Sequence, residues 1–273
     1  MKSVELQIVA KKFCQHQHRF LKKIPGSFCP EDIHQFRVAF KKLRALLRLI
    51  NPAVIHSREL GVPASLLSLY HVAGTVRDLQ VNIPFLTDAF ARNNVQASSY
   101  FTKLEEDLSD AKKGLRAKIE ESSFKKHEHQ IIDAITTDLE EYTIREFVHR
   151  KVATIQILLL GLSDDDDIHS IRKHIKDILY SIRIFEHDWH IPFPIVAWEN
   201  EERLENISTQ LGDYCDRCEA LAFLKYGLDL KPSRNETATI QIIQEILQQE
   251  KNAEMKKLIA QLHELNLISD FDR

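Results

Sequence analysis

The sequence predicts an all-α protein, and three observations carry that prediction. Helix breakers are scarce, with 7 glycines and 8 prolines in 273 residues. Leu, Ile, Glu, Lys and Ala, which sit comfortably in helices, are abundant. Two long stretches repeat one apolar pattern at helical spacing. With 44% hydrophobic and 28% charged residues, the composition is that of a globular protein with ample material for a core.

Eight helices are expected in order. The first runs from about Ser3 to Lys23 and ends at Pro25-Gly26. The second begins after Cys29, because Pro30 suits a first turn whose N–H groups are unpaired anyway. Glu31 and Asp32 complement its dipole, and Asn51-Pro52 stops it. The third covers roughly 62–92, starting near Pro63, and the fourth 97–122. A long fifth helix is expected over about 127–161. The run Asp164–Asp167 reads as an N-cap with first-turn acids, opening the helix that carries His169. Pro192 and Pro194 precede the last two helices, about 199–226 and 235–266.

The repeated stretches are IHQFRVAFKKLRALLRLI at 33–50 and IHSIRKHIKDILYSIRIF at 168–185. Counted from the histidine, both place apolar residues at −1, +2, +6, +9, +13 and +16. These are Ile33, Phe36, Phe40, Leu43, Leu47 and Ile50, against Ile168, Ile171, Ile175, Ile178, Ile182 and Phe185. Both also place cations at +3, +7 and +14: Arg37, Lys41 and Arg48, against Arg172, Lys176 and Arg183. At about 100° per residue, the apolar set fills one arc of a helix. His34 or His169 and the cations fill the arc beside it.

The repeat continues, since 66–86 lies over 204–224 without a gap. Leu66, Leu69, Gly74, Asp78, Ile83 and Leu86 fall on Leu204, Ile207, Gly212, Asp216, Leu221 and Leu224. His34 to Gly74 is 40 residues and His169 to Gly212 is 43, a difference that proline-bearing loops can absorb. An internal duplication follows, giving two four-helix bundles, about 1–124 and 125–273, related by approximate twofold symmetry.

A formal charge of −3 gives no global basic excess of the kind that nucleic-acid binding favours. The first residues lack the apolar core of a signal peptide, and the longest apolar run, 155–162, is far short of a membrane span. Four cysteines give no disulfide framework, so a reducing cytoplasm is the expected setting. Cys215 and Cys218 form an isolated CxxC, and His16 and His18 an isolated HxH. Neither has the further ligands that a metal site requires, and no metal or cofactor is expected.

Locally the charge differs: residues 34–48 hold five Lys/Arg and no Asp/Glu. Arg37 to Arg48 spans roughly 16 Å of helix, enough to follow several phosphates of a flexible polyanion. Arginine bonds two phosphate oxygens at once, and lysine acts as a mobile point charge. Histidine beside phosphate can gain a proton or donate one hydrogen bond. The alternative is that these are solvated charges whose stems cover the edge of the apolar stripe, with His34 and His169 as buried structural residues. Asp78 and Asp216 are expected to orient an arginine by salt bridges. Arg77 has a weaker claim, since Cys215 stands at its matching position. Lys173, Lys11, His18, Lys22, Arg145 and His149 are peripheral candidates.

Four motifs in order, H-x-x-R-x-x-x-K-[KR]-x-R at 34–44, G-x-x-R-D at 74–78, H-x-x-R-x-x-x-K from His169 followed by Tyr180, and L-G-x-x-x-D at 211–216, resemble the CHAD domain, the conserved histidine α-helical domain. The resemblance covers nearly the whole chain. It implies two pseudo-symmetric four-helix bundles whose basic central surface binds inorganic polyphosphate. By position it assigns ligand contact to His34, Arg37, Lys41 and Arg44, and to His169, Arg172 and Lys176. No E-x-E-x-K motif of a fused triphosphate-processing domain is present, so a stand-alone CHAD protein is expected. Two departures point to a weaker second half: Leu179 stands where the family usually has arginine, and Asp177 adds an acid.

The expected function is thus non-catalytic polyphosphate binding, with polyphosphate granules or polyphosphate-metabolising enzymes as further partners. Two alternatives stand beside it. A polyphosphate-processing phosphohydrolase or phosphotransferase, or its accessory subunit, lacks a P-loop, a glycine-rich cradle and a histidine-carboxylate set here. Nucleic-acid backbone binding lacks interleaved aromatic residues for stacking.

Overall fold

Most segments with helical apolar spacing are helices in the computed structural model, which describes residues 1–51, 61–162, 164–190, 192–193 and 201–264. The elements are α1 (Ser3–Ser27), α2 (Pro30–Ile50), α3 (Ala64–Arg92), α4 (Ser98–Glu121), α5 (Phe124–Asp133), α6 (Glu141–Leu160), α7 (Asp165–Arg183), α8 (Glu201–Asp229) and α9 (Arg234–His263). A π-helical turn, Ile184–Asp188, prolongs α7. No strand occurs among the described residues. The expected breakers Pro52 and Pro194, and the outermost residues expected for the last two helices, lie outside the described residues.

Local chemistry explains most boundaries. Pro30 opens α2 with Glu31 and Asp32 in its first turn. The Asp164 side chain accepts from the Asp167 N–H at 3.0 Å and caps α7. Asp165 also ties helices together: it accepts from the Tyr214 hydroxyl on α8 at 2.5 Å and from Lys251 Nζ on α9 at 2.6 Å. The first helix runs past its expected stop. It continues through Pro25 and Gly26 until Phe28, at φ 50° and ψ 38°, turns its N–H back to the Ile24 carbonyl at 2.8 Å. Phe28 is buried, so side-chain packing holds a left-handed conformation that a non-glycine residue otherwise avoids.

The helix expected over 127–161 is two helices, with α5 and α6 separated by residues 134–140. The N-terminal segment occupies the break. Asp138 accepts from the Ser3 N–H at 2.8 Å and from Lys2 Nζ at 2.9 Å, and Leu139 N–H donates to the Met1 carbonyl at 2.8 Å. Gln7 caps the Ile135 carbonyl at 2.9 Å. These partners satisfy backbone groups that an unbroken helix would have paired internally.

Both apolar stripes face the core. Ile33, Phe36, Phe40, Leu43, Ile168, Ile171 and Ile175 are fully buried, and only Ile50 at the end of α2 is partly exposed. Burying a side chain of this kind contributes roughly 1.5–3 kcal/mol, so the stripes decide which face of each helix turns outward. Leu179, which stands where the family usually has arginine, is also fully buried. α2 packs along α1 and against α3, and across the middle of the molecule it meets α7. α3 meets α8, α7 lies between α6 and α8, and α9 packs along α8. The seam where α2 meets α7 is where the two basic arcs come together.

Candidate anion-binding site

Of the +3, +7 and +14 cations, the +3 arginines are held in notches. Arg37 donates from Nη1 to the Tyr70 carbonyl at 3.2 Å, and its guanidinium lies 4.7 Å from the Tyr70 ring centroid. Tyr70 stacks in turn on Phe40, with ring centroids 4.3 Å apart. One helical turn after Tyr70, a Cβ on Gly74 would overlap Arg37 Nη1. On the other side, a Cβ on Gly212 would come 3.4 Å from Arg172 Nη2. At Gly74 the guanidinium occupies the space of a side chain, whereas at Gly212 it only borders that space at contact distance. Arg172 has no counterpart of the Tyr70 ring, since Ser208 stands at the matching position.

The +7 lysines lie at the seam. Burial comes first in pulling the Lys41 ammonium down to about 8, followed by the like charges of Arg37, Arg172 and Lys176, with Asp78 opposing. Lys176 is also lowered by burial, but Glu205 counters it from 3.6 Å. Among the described residues, none of Arg37, Lys41 and Arg172 has a carboxylate within 4.0 Å. Three cations from two helices, none with a carboxylate within 4.0 Å among the described residues, thus lie near one another.

Lys41 titration has a measurable consequence. Its folded pKa of about 8 lies below the ordinary 10.5. Between those values the unfolded chain binds more protons, so this residue makes stability rise with pH across that window; below about 8 the full penalty of its charge is present. Lys41→Met should therefore stabilise the protein most at pH 7 and lose that advantage progressively towards pH 10. Urea denaturation of both proteins across this range is the check, and a gap independent of pH would contradict the placement of Lys41.

The +14 arginines are committed elsewhere. Arg48 Nη1 donates to both oxygens of Asp177 at 2.9 and 3.0 Å, and Lys151 Nζ reaches Asp177 at 2.8 Å. Asp177, read from the sequence as an added acid in the second half, is a buried clamp joining α2, α6 and α7. Arg183 is held by Glu201 at 2.7 Å and Glu205 at 2.5 Å. These two positions therefore differ from the open stripe expected, because each guanidinium already has a carboxylate at bonding distance. Arg44 is pulled down chiefly by burial and lies 5.9 Å from the Phe40 ring.

His34 is exposed, so the buried structural alternative does not describe it, and His169 is half-buried. Both imidazoles are lowered, first by burial and then by cations: Arg77, Lys41 and Arg37 act on His34, and Lys173, Arg172 and Lys41 on His169. Lys41 thus acts on both histidines. At neutral pH they are uncharged and each can donate one hydrogen bond to an anion. Cys215 Sγ lies 3.6 Å from His169 Nδ1, which gives half of the CxxC a place beside the site.

Among the described residues, the salt bridges expected of Asp78 and Asp216 are not formed within 4.0 Å; Arg37 bonds the Tyr70 carbonyl instead. Both carboxyls are raised, first by desolvation; Arg37, Lys41 and Arg77 oppose this at Asp78, and Arg172 and Arg77 at Asp216. Arg77 donates to the Pro30 carbonyl at 3.4 Å. The peripheral candidates lie away from the seam or point outward. Lys173 is exposed beside His169; Lys11 and Lys22 are exposed, and His18 stacks on Phe124 of α5 with centroids 4.5 Å apart. Arg145 pairs with Glu141 one turn away at 2.7 Å, and His149 is exposed on the same helix.

One group among the described residues could converge on a cation: Glu186, His187 and Glu201, with ligand atoms within 4.8 Å of one another. Arg183 already holds Glu201 at 2.7 Å, and His187 Nε2 is 3.5 Å from it, so one of the two carboxylates already has a cation. Among the described residues, no helix is long and apolar enough to cross a membrane.

The described residues form an all-helical protein in which Arg37 and Lys41 of α2 and Arg172 and Lys176 of α7 lie near one another where the two helices meet. The chain belongs to the CHAD-domain family: the family model for the CHAD domain matches residues 11–225. Among solved structures it is similar to the CHAD domain from the plant Ricinus communis, with a TM-score of 0.71, 14% identity, and coverage of 96% of this chain and 92% of that one. It is also similar to PptA from Streptomyces chartreusis, with a TM-score of 0.70, 12% identity, and coverage of 96% and 99%. At such identities the likeness concerns the fold. No curated protein matches the sequence.

Proposed function

We propose that this protein binds inorganic polyphosphate at the α2–α7 seam and serves as a binding or recruitment module. The supporting observation is the set Arg37, Lys41 and Arg172, three cations with no carboxylate within 4.0 Å among the described residues, in which burial first and the two arginines next lower the pKa of Lys41. A polyanion would relieve that repulsion, and polyphosphate binding is known for some members of the family. Arg37 and Arg172 would supply forked donors, Lys41 a point charge, and His34 and His169 hydrogen bonds at the flanks. Arg44 and Lys176 lie beside this set as further contacts. The internal duplication into halves 1–124 and 125–273 is part of the same proposal. It is supported by the matching use of Gly74 for Arg37 and Gly212 for Arg172.

The deciding experiment is a competition between polyphosphate, single-stranded RNA and duplex DNA at matched total charge, with orthophosphate release monitored. Polyphosphate should compete best, without release, and its affinity should fall steeply with salt as counterions are released on binding. Preference for a nucleic acid would move the protein to that class, and sustained orthophosphate release would make it an enzyme. Co-purification with polyphosphate granules from cytoplasm tests the expected location.

The notch at Gly74 gives a specific prediction. In Gly74→Ala the new methyl displaces the flexible end of Arg37, while helix propensity improves by about 1 kcal/mol. Stability should hold or rise, and polyphosphate affinity should fall roughly tenfold or more, the value of one charge-assisted contact. Anisotropy with labelled polyphosphate and a thermal melt read the two effects separately. An unchanged affinity would mean that Arg37 does not touch the ligand.

A further inference from the structure

Lys176 and Arg183 of α7 are not open in the way Arg37 and Lys41 of α2 are. Lys176 Nζ stands 3.6 Å from Glu205 Oε1. Arg183 donates from Nη2 to Glu205 Oε2 at 2.5 Å and from Nε to Glu201 Oε1 at 2.7 Å. Its fork is therefore filled by two carboxylates, each in a position where a phosphate oxygen would bond. The three side chains are partly shielded, at 25% exposure for Arg183, 27% for Glu201 and 38% for Glu205. In the ungapped match of the repeats, Glu205 falls on Leu67, so the first half has no acid at the matching position.

We propose that Glu205, backed by Glu201, is a resident carboxylate that competes with phosphate for Lys176 and Arg183 and so limits how many phosphates of a chain this protein holds. The proposal rests on the polyphosphate reading above. Because Glu205 is tethered beside its cations, it meets them at a high effective concentration, and each phosphate that reaches them must displace it. A polyphosphate chain is then gripped by Arg37, Lys41 and Arg172, while the outer end of the α7 stripe stays closed. Glu205 is thus a specificity-determining residue for ligand length.

The test compares the wild type with Glu205→Gln, Glu201→Gln/Glu205→Gln and Glu202→Gln. Glu202 is exposed one residue from Glu201 and has no cation within 4.0 Å among the described residues, so its variant reports the generic effect of removing one negative charge. Titrations use inorganic polyphosphate of several defined lengths at several salt concentrations. Glu205→Gln should raise affinity for long chains roughly tenfold, the value of one charge-assisted contact, and steepen the salt dependence by about one contact. The double variant should add a second step, and in both the affinity should go on rising to longer chains than in the wild type. Glu202→Gln should differ from wild type by less than twofold. A wild type that binds while Glu205→Gln changes nothing, or matches Glu202→Gln, overturns the proposal and leaves polyphosphate binding standing. A wild type that does not bind polyphosphate overturns both.

Discussion

Replacing Arg37 and Lys41 together by alanine should weaken polyphosphate binding by about two to four orders of magnitude. Each charge-assisted contact contributes roughly 1.5–3 kcal/mol when made, and every 1.4 kcal/mol is a factor of about ten. Neither cation has a carboxylate within 4.0 Å among the described residues, so no short ion pair has to be broken before a ligand bonds it. Arg172→Ala with Lys176→Ala should cost at least tenfold less, because Lys176 already stands 3.6 Å from Glu205. On the proposal above, this asymmetry comes from Glu205 beside Lys176; Leu179 is fully buried. Both double variants should keep their helix content by circular dichroism, since the altered side chains lie outside the apolar stripes. Equal losses would show that Glu205 does not screen the second half, and no loss in either would return the cations to solvated surface charge.

Asp177→Ala should destabilise the fold by about 3–5 kcal/mol, the usual result of removing one member of a buried ion cluster. Asp177 is 8% exposed and neutralises Arg48 at 25% and Lys151 at 16%. Without it, two shielded cations face each other beside His174, whose imidazole burial already lowers to about 4. Asp110→Ala removes an equally short ion pair with Lys113 that is 72–75% exposed, and it should cost well under 1 kcal/mol. Urea denaturation of the two variants makes the contrast. Adding Arg48→Met and Lys151→Met to Asp177→Leu should recover much of the loss, because apolar groups of similar volume can replace a buried ion cluster. A loss below 1 kcal/mol for Asp177→Ala would show that the clamp is solvated.

The sequence by itself determined the helical class, most helix boundaries and the faces of α2 and α7. Those depend on local spacing and capping, which the chain carries residue by residue: the stripe from Ile33 to Leu47 is buried, and Asp164 caps α7. Arg37, Lys41, Arg172 and Lys176 were legible as cations on a shared arc for the same reason, and Gly74 and Gly212 were visible as matching positions without a stated role. Tertiary structure decided which of these charges have a carboxylate at bonding distance. Arg48 and Arg183 share the period of their neighbours, yet Asp177, 129 residues from Arg48, and Glu205, 22 residues from Arg183, hold them. The break between α5 and α6 was likewise set by the distant segment Met1–Gln7. Helical periodicity states the direction in which a side chain leaves its own helix; its charge in the folded protein depends on what another helix brings within about 4 Å, where desolvation and Coulomb energy are both large.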